Sequence, residues 1–209
     1  MKAWKKAIGI GIAVAAVGFA ILTAAAVLIV TQPWVSANLG IEQPASVDPK
    51  RLETHTRKLA EEFVPRDWVH TDNLDRAAAY IRTEFAKTGS EVQDQIYEME
   101  GRTYRNVIAR FGPESRDPVV VGAHYDAFSE LPGADDNASG VAGLIELAHL
   151  LSSARPQTRI ELVAFTLEEP KTRDGDGLFR SEYGGSARHG TFVCSRNMEF
   201  VLASSSTWK

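Results

Sequence analysis

From Ala7 to Val30 the chain runs 24 residues without a charge, dominated by Ala, Ile, Val and Leu. As a helix rising 1.5 Å per residue this stretch would be roughly 36 Å long, enough to cross a hydrocarbon core of about 30 Å. The pattern predicts a transmembrane helix over 7–31. Lys2, Lys5 and Lys6 precede it and the next basic residue is Lys50, so the positive-inside rule leaves 1–6 in the cytoplasm and sends the rest across. Val35-Ser36-Ala37 offers a small-residue cleavage site, which would make the protein secreted. Signal-peptide cores span only about 7–15 apolar residues, which favours an uncleaved anchor. Residues 32–47, with two prolines and few large apolar residues after Trp34, read as a linker.

A different periodicity begins at Asp48-Pro49, a capping residue followed by proline at the first helical position. Leu52, Leu59, Ala60 and Phe63 recur at helical spacing up to Pro65. A second helix is predicted from about Thr71 to Thr88, with Leu74, Ala77, Ala78, Ile81 and Phe85 on one face and Gly89 as its C-cap. Val92–Met99 and Tyr104–Phe111 read as strands of a hairpin turning at Gly101. Pro118–Ala123 and Arg159–Leu167 are short continuous apolar runs, the mark of strands covered on both faces. Between them Ser139–Leu151 carries an apolar helical stripe of Val141, Leu144, Ile145, Ala148 and Leu151. Strand, helix, strand in this order is a βαβ unit, so 48–209 is expected to be an α/β domain with a mainly parallel or mixed sheet flanked by helices.

Beyond the three leading lysines the chain holds 20 basic against 27 acidic residues, a balance near −7 that argues against nucleic-acid binding. Cys194 is the one cysteine in the sequence, so an internal disulfide is excluded.

The candidate chemistry sits at the ends of the two buried strands, where open α/β sheets place their ligands. His124 follows the first strand, with Asp126 two positions on, and a ligating imidazole needs its second nitrogen held, commonly by a carboxylate. Asp135-Asp136-Asn137 lies directly before a helix. Capping by Asn137 or Ser139 accounts for one polar residue there but not for two consecutive acids, and a carboxylate so placed can bridge two metal ions. Glu168-Glu169 ends the second strand. Adjacent residues at a strand end point oppositely, so one can bind metal while its neighbour acts as general base toward water. His55 and His70 read as surface residues and His149 as a helix histidine with satisfied partners.

The runs GAHYD (122–126), PGADDNASGVAGLIELA (132–148) and AFTLEE (164–169) closely resemble the co-catalytic zinc aminopeptidases, the bacterial leucyl-aminopeptidase type of metallopeptidase. The likeness extends through HTDNLDRAAAYIRTEFAKTG, YRNVIARFG and GGSARH, roughly 47–197. It implies a zinc-exopeptidase fold and hydrolysis of N-terminal residues from peptide substrates. It further implies two zinc ions, with His124, Asp136 and Glu169 as metal ligands, Asp136 bridging. Glu168 becomes the general base and Asp126 the residue that orients His124. The rival enzyme class on a similar fold is the glutaminyl-cyclase-type acyltransferase, with one zinc; a non-catalytic relative is the third reading. The family also supplies a later acidic ligand and a last histidine. Here Arg196-Asn197-Met198-Glu199-Phe200-Val201 and the tail after it lack both, so the resemblance implies a C-terminally truncated member with an incomplete sheet and impaired activity. His189 is the nearest substitute, although its segment resembles a peripheral helix of the family. The domain is thus expected to be membrane-anchored and extracytoplasmic, periplasmic or at the cell surface.

Overall fold

The computed structural model describes residues 2–31, 46–115, 117–175, 177–178 and 181–190. They fall into two units divided between Pro44 and Ala45, each described by itself. The expectations for Cys194, for the tail after Asn197 and for most of the linker lie outside the described residues.

The first unit is one helix, α1 (Lys2–Thr31). Its side chains Val14, Val17, Phe19, Ile21, Leu22, Val27 and Leu28 are exposed. Among the described residues no helix is long and apolar enough to cross a membrane. The predicted span over 7–31 therefore rests on the sequence.

In the second unit the helix start at Asp48 is as the sequence implies: its side chain accepts the Lys50 N–H at 2.9 Å, with Pro49 in the first turn. Helix α2 (Pro49–Arg57) runs into a wider turn, Lys58–Glu62, which buries Leu59 and Ala60. Helix α3 (Thr71–Ala86) buries Leu74, Ala77, Ala78, Ile81 and Phe85, the predicted face, and Gly89 follows it at φ 74°, left-handed backbone that glycine adopts without steric cost.

Strands β1 (Glu91–Met99) and β2 (Arg102–Phe111) form the hairpin. Met99 pairs with Arg102, and the intervening Glu100 and Gly101 have φ of 52° and 74°, the double positive φ that matches a two-residue turn to strand twist. Strand β3 (Val119–His124), helix α4 (Ser139–Ser153) and strand β4 (Ile160–Phe165) complete the predicted βαβ unit, and β3 and β4 are parallel neighbours.

The sheet decides one expectation and overturns another. The sheet order is β1-β2-β4-β3, and both β1–β2 and β2–β4 are antiparallel. The described sheet is therefore mixed, one of the two forms expected, because the hairpin docks its second strand against β4. Strand β3 is also not covered on both faces. It lies at the edge of the described sheet, and Val119, Val120 and Val121 are 51, 41 and 37% exposed.

The apolar core forms where α3 and α4 meet one face of the sheet, with Val107, Ala109, Leu162 and Ala164 against Ile81, Phe85, Val141 and Ile145. The opposite face of the same strands mixes buried apolar residues, Ile108 and Val163, with a buried charged group. There Arg110 Nε donates to Glu161 Oε1 at 2.8 Å, and His189 Nε2 lies 3.1 Å from Glu161 Oε2, all three side chains buried. His55, expected at the surface, is buried instead, its Nδ1 2.6 Å from the Tyr80 hydroxyl. The α2 periodicity turns it toward α3 rather than solvent. His70 is exposed as expected.

Helix α2 is fastened to α4 by a fork. Arg51 Nε and Nη2 donate to the two Glu146 oxygens at 2.7 and 2.8 Å, and the Asp48 N–H donates to Oε1 at 2.8 Å. The Arg51 hydrogen bond, aided by that N–H and the Arg51 charge, outweighs burial and holds the Glu146 pKa down at about 2. A group whose folded pKa is depressed stabilises the fold above its unfolded pKa, and that contribution is lost as pH falls through the folded value. Glu146→Gln should therefore cost about 1–2 kcal/mol at neutral pH, a figure reduced for the exposure of Arg51. In urea melts at several pH values the gap to the parent should close between pH 4.5 and about 2; a gap independent of pH would contradict this account.

Candidate metal centre

Parallel pairing sets the ends of β3 and β4 side by side, with His124 opposite Phe165. The chain leaving β3 keeps one more sheet bond, Tyr125 N–H to Phe165 O at 2.8 Å, and then buries Asp126. On the β4 side Leu167 is buried at φ 60°, a left-handed kink uncommon for a residue with a side chain. Beyond the kink the backbone N–H groups of Glu168 and Glu169 both donate to Asp126 Oδ2 at 3.0 Å. The carboxylate predicted to orient His124 thus also fixes the glutamate pair. Asp126 Oδ1 faces His124 Nδ1 at 3.4 Å, and the same nitrogen lies 3.2 Å from the Asp126 carbonyl oxygen. With Nδ1 so occupied, Nε2 is the nitrogen turned toward the centre.

Asp136 comes from the irregular turn Ala134–Ala138, within which Asp136 and Asn137 are non-helical. Asn137 Oδ1 accepts the Gly140 N–H at 3.1 Å near the start of α4, so the capping duty falls on Asn137 and the acids are left for other work. Gly133 enters that turn at φ 56°, and a Cβ there would meet Asp136 O at 2.6 Å and the Ala127 Cβ at 2.7 Å. Asp136 Oδ1 lies 2.9 Å from His124 Nε2.

The donor atoms of His124, Asp136 and Glu169 all lie within 4.8 Å of one another. Ligands held at 2.0–2.2 Å from one zinc are at most about 4.4 Å apart, so the three stand within a small closure of zinc-binding distances, for one ion or for two that Asp136 bridges. An imidazole with two carboxylates is also a donor set that suits zinc, and the residues fit the group. His189, the substitute weighed from sequence, is held at Glu161 instead.

Charge is concentrated here. Burial disfavours a protonated His124 ring, but the bond and charge of Asp126, with Asp136 and Glu169, outweigh it and lift its pKa to about 9. Burial pushes the Glu168 carboxyl above the usual range against the opposing pull of bonds from Ser186. Glu169 is raised by burial and by the charges of Asp136 and Asp126.

Three residues at the site carry no signal in the sequence patterns. Arg66 is fully buried and donates from Nε to Tyr125 O at 2.8 Å, from Nη2 to Gly133 O at 3.2 Å, and from Nη1 to Leu59 O. It ties the His124 strand end to the turn that bears Asp136. Burial lowers its pKa to about 10, against the charge of Asp126. Ser186, which bonds Glu168 from the other side, and Asn106, which bonds the adjoining Gly185, are a serine inside a short glycine-rich run and an asparagine inside a strand. Neither stands out in one chain.

Fold and cluster together describe a mixed α/β domain with a candidate metal centre at the strand ends of its sheet. Residues 106–203 match the model of Peptidase family M28. The chain is 42% identical to the protein YfbL of Escherichia coli K12 over 84% of its own length and 54% of that protein's. It is 32% identical to the "Probable zinc metalloprotease" of Pyrenophora tritici-repentis over 81% of this chain and 41% of that one. The chain spans about half the length of the curated relatives it matches. Among solved structures, a leucine aminopeptidase precursor from Bacteroides thetaiotaomicron shares the fold at a TM-score of 0.55 and 22% identity, over 68% of this chain and 55% of that one. A glutaminyl cyclase of the same organism shares it at 0.55 and 23%, over 68 and 56%.

Asp126→Ala removes the acceptor for two backbone N–H groups and the partner of His124 Nδ1 together. It should weaken zinc binding by about 10–100-fold, as loss of a ligand's supporting carboxylate does. Competitive zinc titration measures this, and affinity equal to the parent's would refute the role given to Asp126.

Proposed function

We propose that this domain belongs to a zinc aminopeptidase that removes N-terminal residues from peptides. The convergence of His124, Asp136 and Glu169 at one sheet edge, with Glu168 beside them but bonded elsewhere, carries this reading. His124 and Glu169 would hold one zinc each and Asp136 would bridge two. Bound there, zinc supplies Lewis acidity toward the scissile carbonyl and makes water a better nucleophile. Glu168 takes the proton from the attacking water and returns it to the leaving amine, and its raised pKa suits a group that must do both. Asp126 keeps Nδ1 of His124 engaged so that Nε2 stays a ligand. Glutaminyl cyclases share the fold, and a single-zinc acyltransferase or a non-catalytic relative is what the test below separates from the peptidase.

The N-terminal helix would anchor the domain, leaving it extracytoplasmic in the periplasm or at the cell surface. A helix apolar on every side calls for an apolar surround, and the lysines at 2, 5 and 6 give it a direction. Carbonate-washed membranes should retain the protein through 7–31, and release into the wash would rule the anchor out.

In a chain extended to the length of its relatives and loaded with zinc, Glu168→Gln should retain its metal while hydrolysis of leucine p-nitroanilide slows by about 10²–10⁴-fold. Asp136→Ala should lose metal. One ion per chain with glutamine cyclisation would establish the acyltransferase instead, and no bound ion the non-catalytic relative.

A further inference from the structure

Glu168 and Glu169 are neighbours in sequence, yet the fold treats them differently. Glu169 offers an oxygen to the cluster with His124 and Asp136. Both oxygens of Glu168 are engaged by one residue: the Ser186 N–H donates to Oε1 at 2.7 Å and its hydroxyl to Oε2 at 3.1 Å. The terminal torsion of a glutamate is broad and two-fold. Bonds at both oxygens fix its plane where one bond would let it turn. An ionised carboxylate has about four acceptor positions, so the remainder stay available to water.

Ser186 is itself fixed from the sheet. The Gly185 N–H donates to Thr166 O at 2.9 Å. Asn106, fully buried in β2, donates from Nδ2 to Gly185 O at 2.8 Å and to Gln95 Oε1 at 2.9 Å, and its Oδ1 accepts the Thr166 N–H at 3.2 Å. One amide side chain therefore spans the end of β4 and the segment that carries Ser186. The approach is so close that a Cβ at Gly185 would stand 2.4 Å from Asn106 Oδ1 and 2.5 Å from Thr166 O. Asn106, Gly185 and Ser186 form a continuous bonded path from the sheet interior to the Glu168 carboxylate.

We propose that Ser186, seated by Asn106 and Gly185, is a positioning residue that holds Glu168 out of the metal cluster and aims it as the base. It is what gives two adjacent, chemically identical side chains separate duties. The inference rests on the general-base reading of Glu168.

The test compares Ser186→Ala, Ser186→Thr, Glu168→Gln and the Ser186→Ala/Glu168→Gln double variant in the same extended, zinc-loaded chain on leucine p-nitroanilide, with zinc affinity measured in parallel. Ser186→Ala should lower kcat by about 10–100-fold, as a misplaced catalytic group does. KM and zinc affinity should stay within about twofold. Ser186→Thr, which keeps the hydroxyl, should recover most of the rate, and Ser186→Ala should have no further effect once Glu168 is Gln. Should Ser186→Ala not fold, Ser186→Gly removes the same hydroxyl. Normal kcat in the serine variants with slow Glu168→Gln overturns the positioning role and leaves the base reading standing. Weakened zinc binding alongside lowered kcat makes Ser186 a support of the metal centre and overturns it too. Turnover unaffected by Glu168→Gln, or none in the parent, sinks the base reading and this inference with it.

Discussion

Asp126 Oδ2 accepts the backbone N–H groups of Glu168 and Glu169, and those two bonds join the loops that leave β3 and β4. Sheet pairing alone carries the strands only as far as His124 and Phe165. Beyond them each chain would be free to diverge. A buried carboxylate is tolerable when donors and positive charge meet it, and here two donors come from the opposite loop while the imidazole faces its other oxygen at 3.4 Å. The left-handed turn at Leu167 is the backbone route by which Glu168 and Glu169 reach it. His124, Glu168 and Glu169 consequently share one anchor.

The third member of the cluster, Asp136, arrives on a separate piece of chain, and its placement depends on the guanidinium of Arg66. Carbonyl oxygens on both sides, Tyr125 and Gly133, converge on that group. Hydrogen bonds to charged donors are worth roughly twice neutral ones, so a cation is an economical way to hold two loops at a set separation. It also places positive charge behind a group of acids that would otherwise repel one another.

Much of the helix and turn structure can be read from the sequence because the signals are local. Asp48-Pro49 sets a cap, the spacing from Leu74 to Phe85 marks a buried face, and Gly101 marks a tight turn. The βαβ unit and the edge where ligands gather follow from two apolar runs around a helix. Pairing between β2 and β4 is not legible, since side-chain alternation says which face is apolar but not which strand lies alongside. His55 turned inward because a tyrosine on another helix offered it a partner, which no local pattern announces. The site was legible as residue types at strand ends. Arg66, Asn106 and Ser186 were not, because their roles run through backbone groups whose positions exist only after folding.

Gly133 has no polar side chain, touches no reacting group, and contributes nothing to the charge of the centre. Its left-handed φ and the 2.6 Å approach of the Asp136 carbonyl to the place a Cβ would occupy nevertheless close that position to almost every other residue. A search for the determinants of this centre that scored side chains by their chemistry would pass over it. The information that specifies where a ligand stands is thus partly stored as the requirement that something be missing three residues earlier.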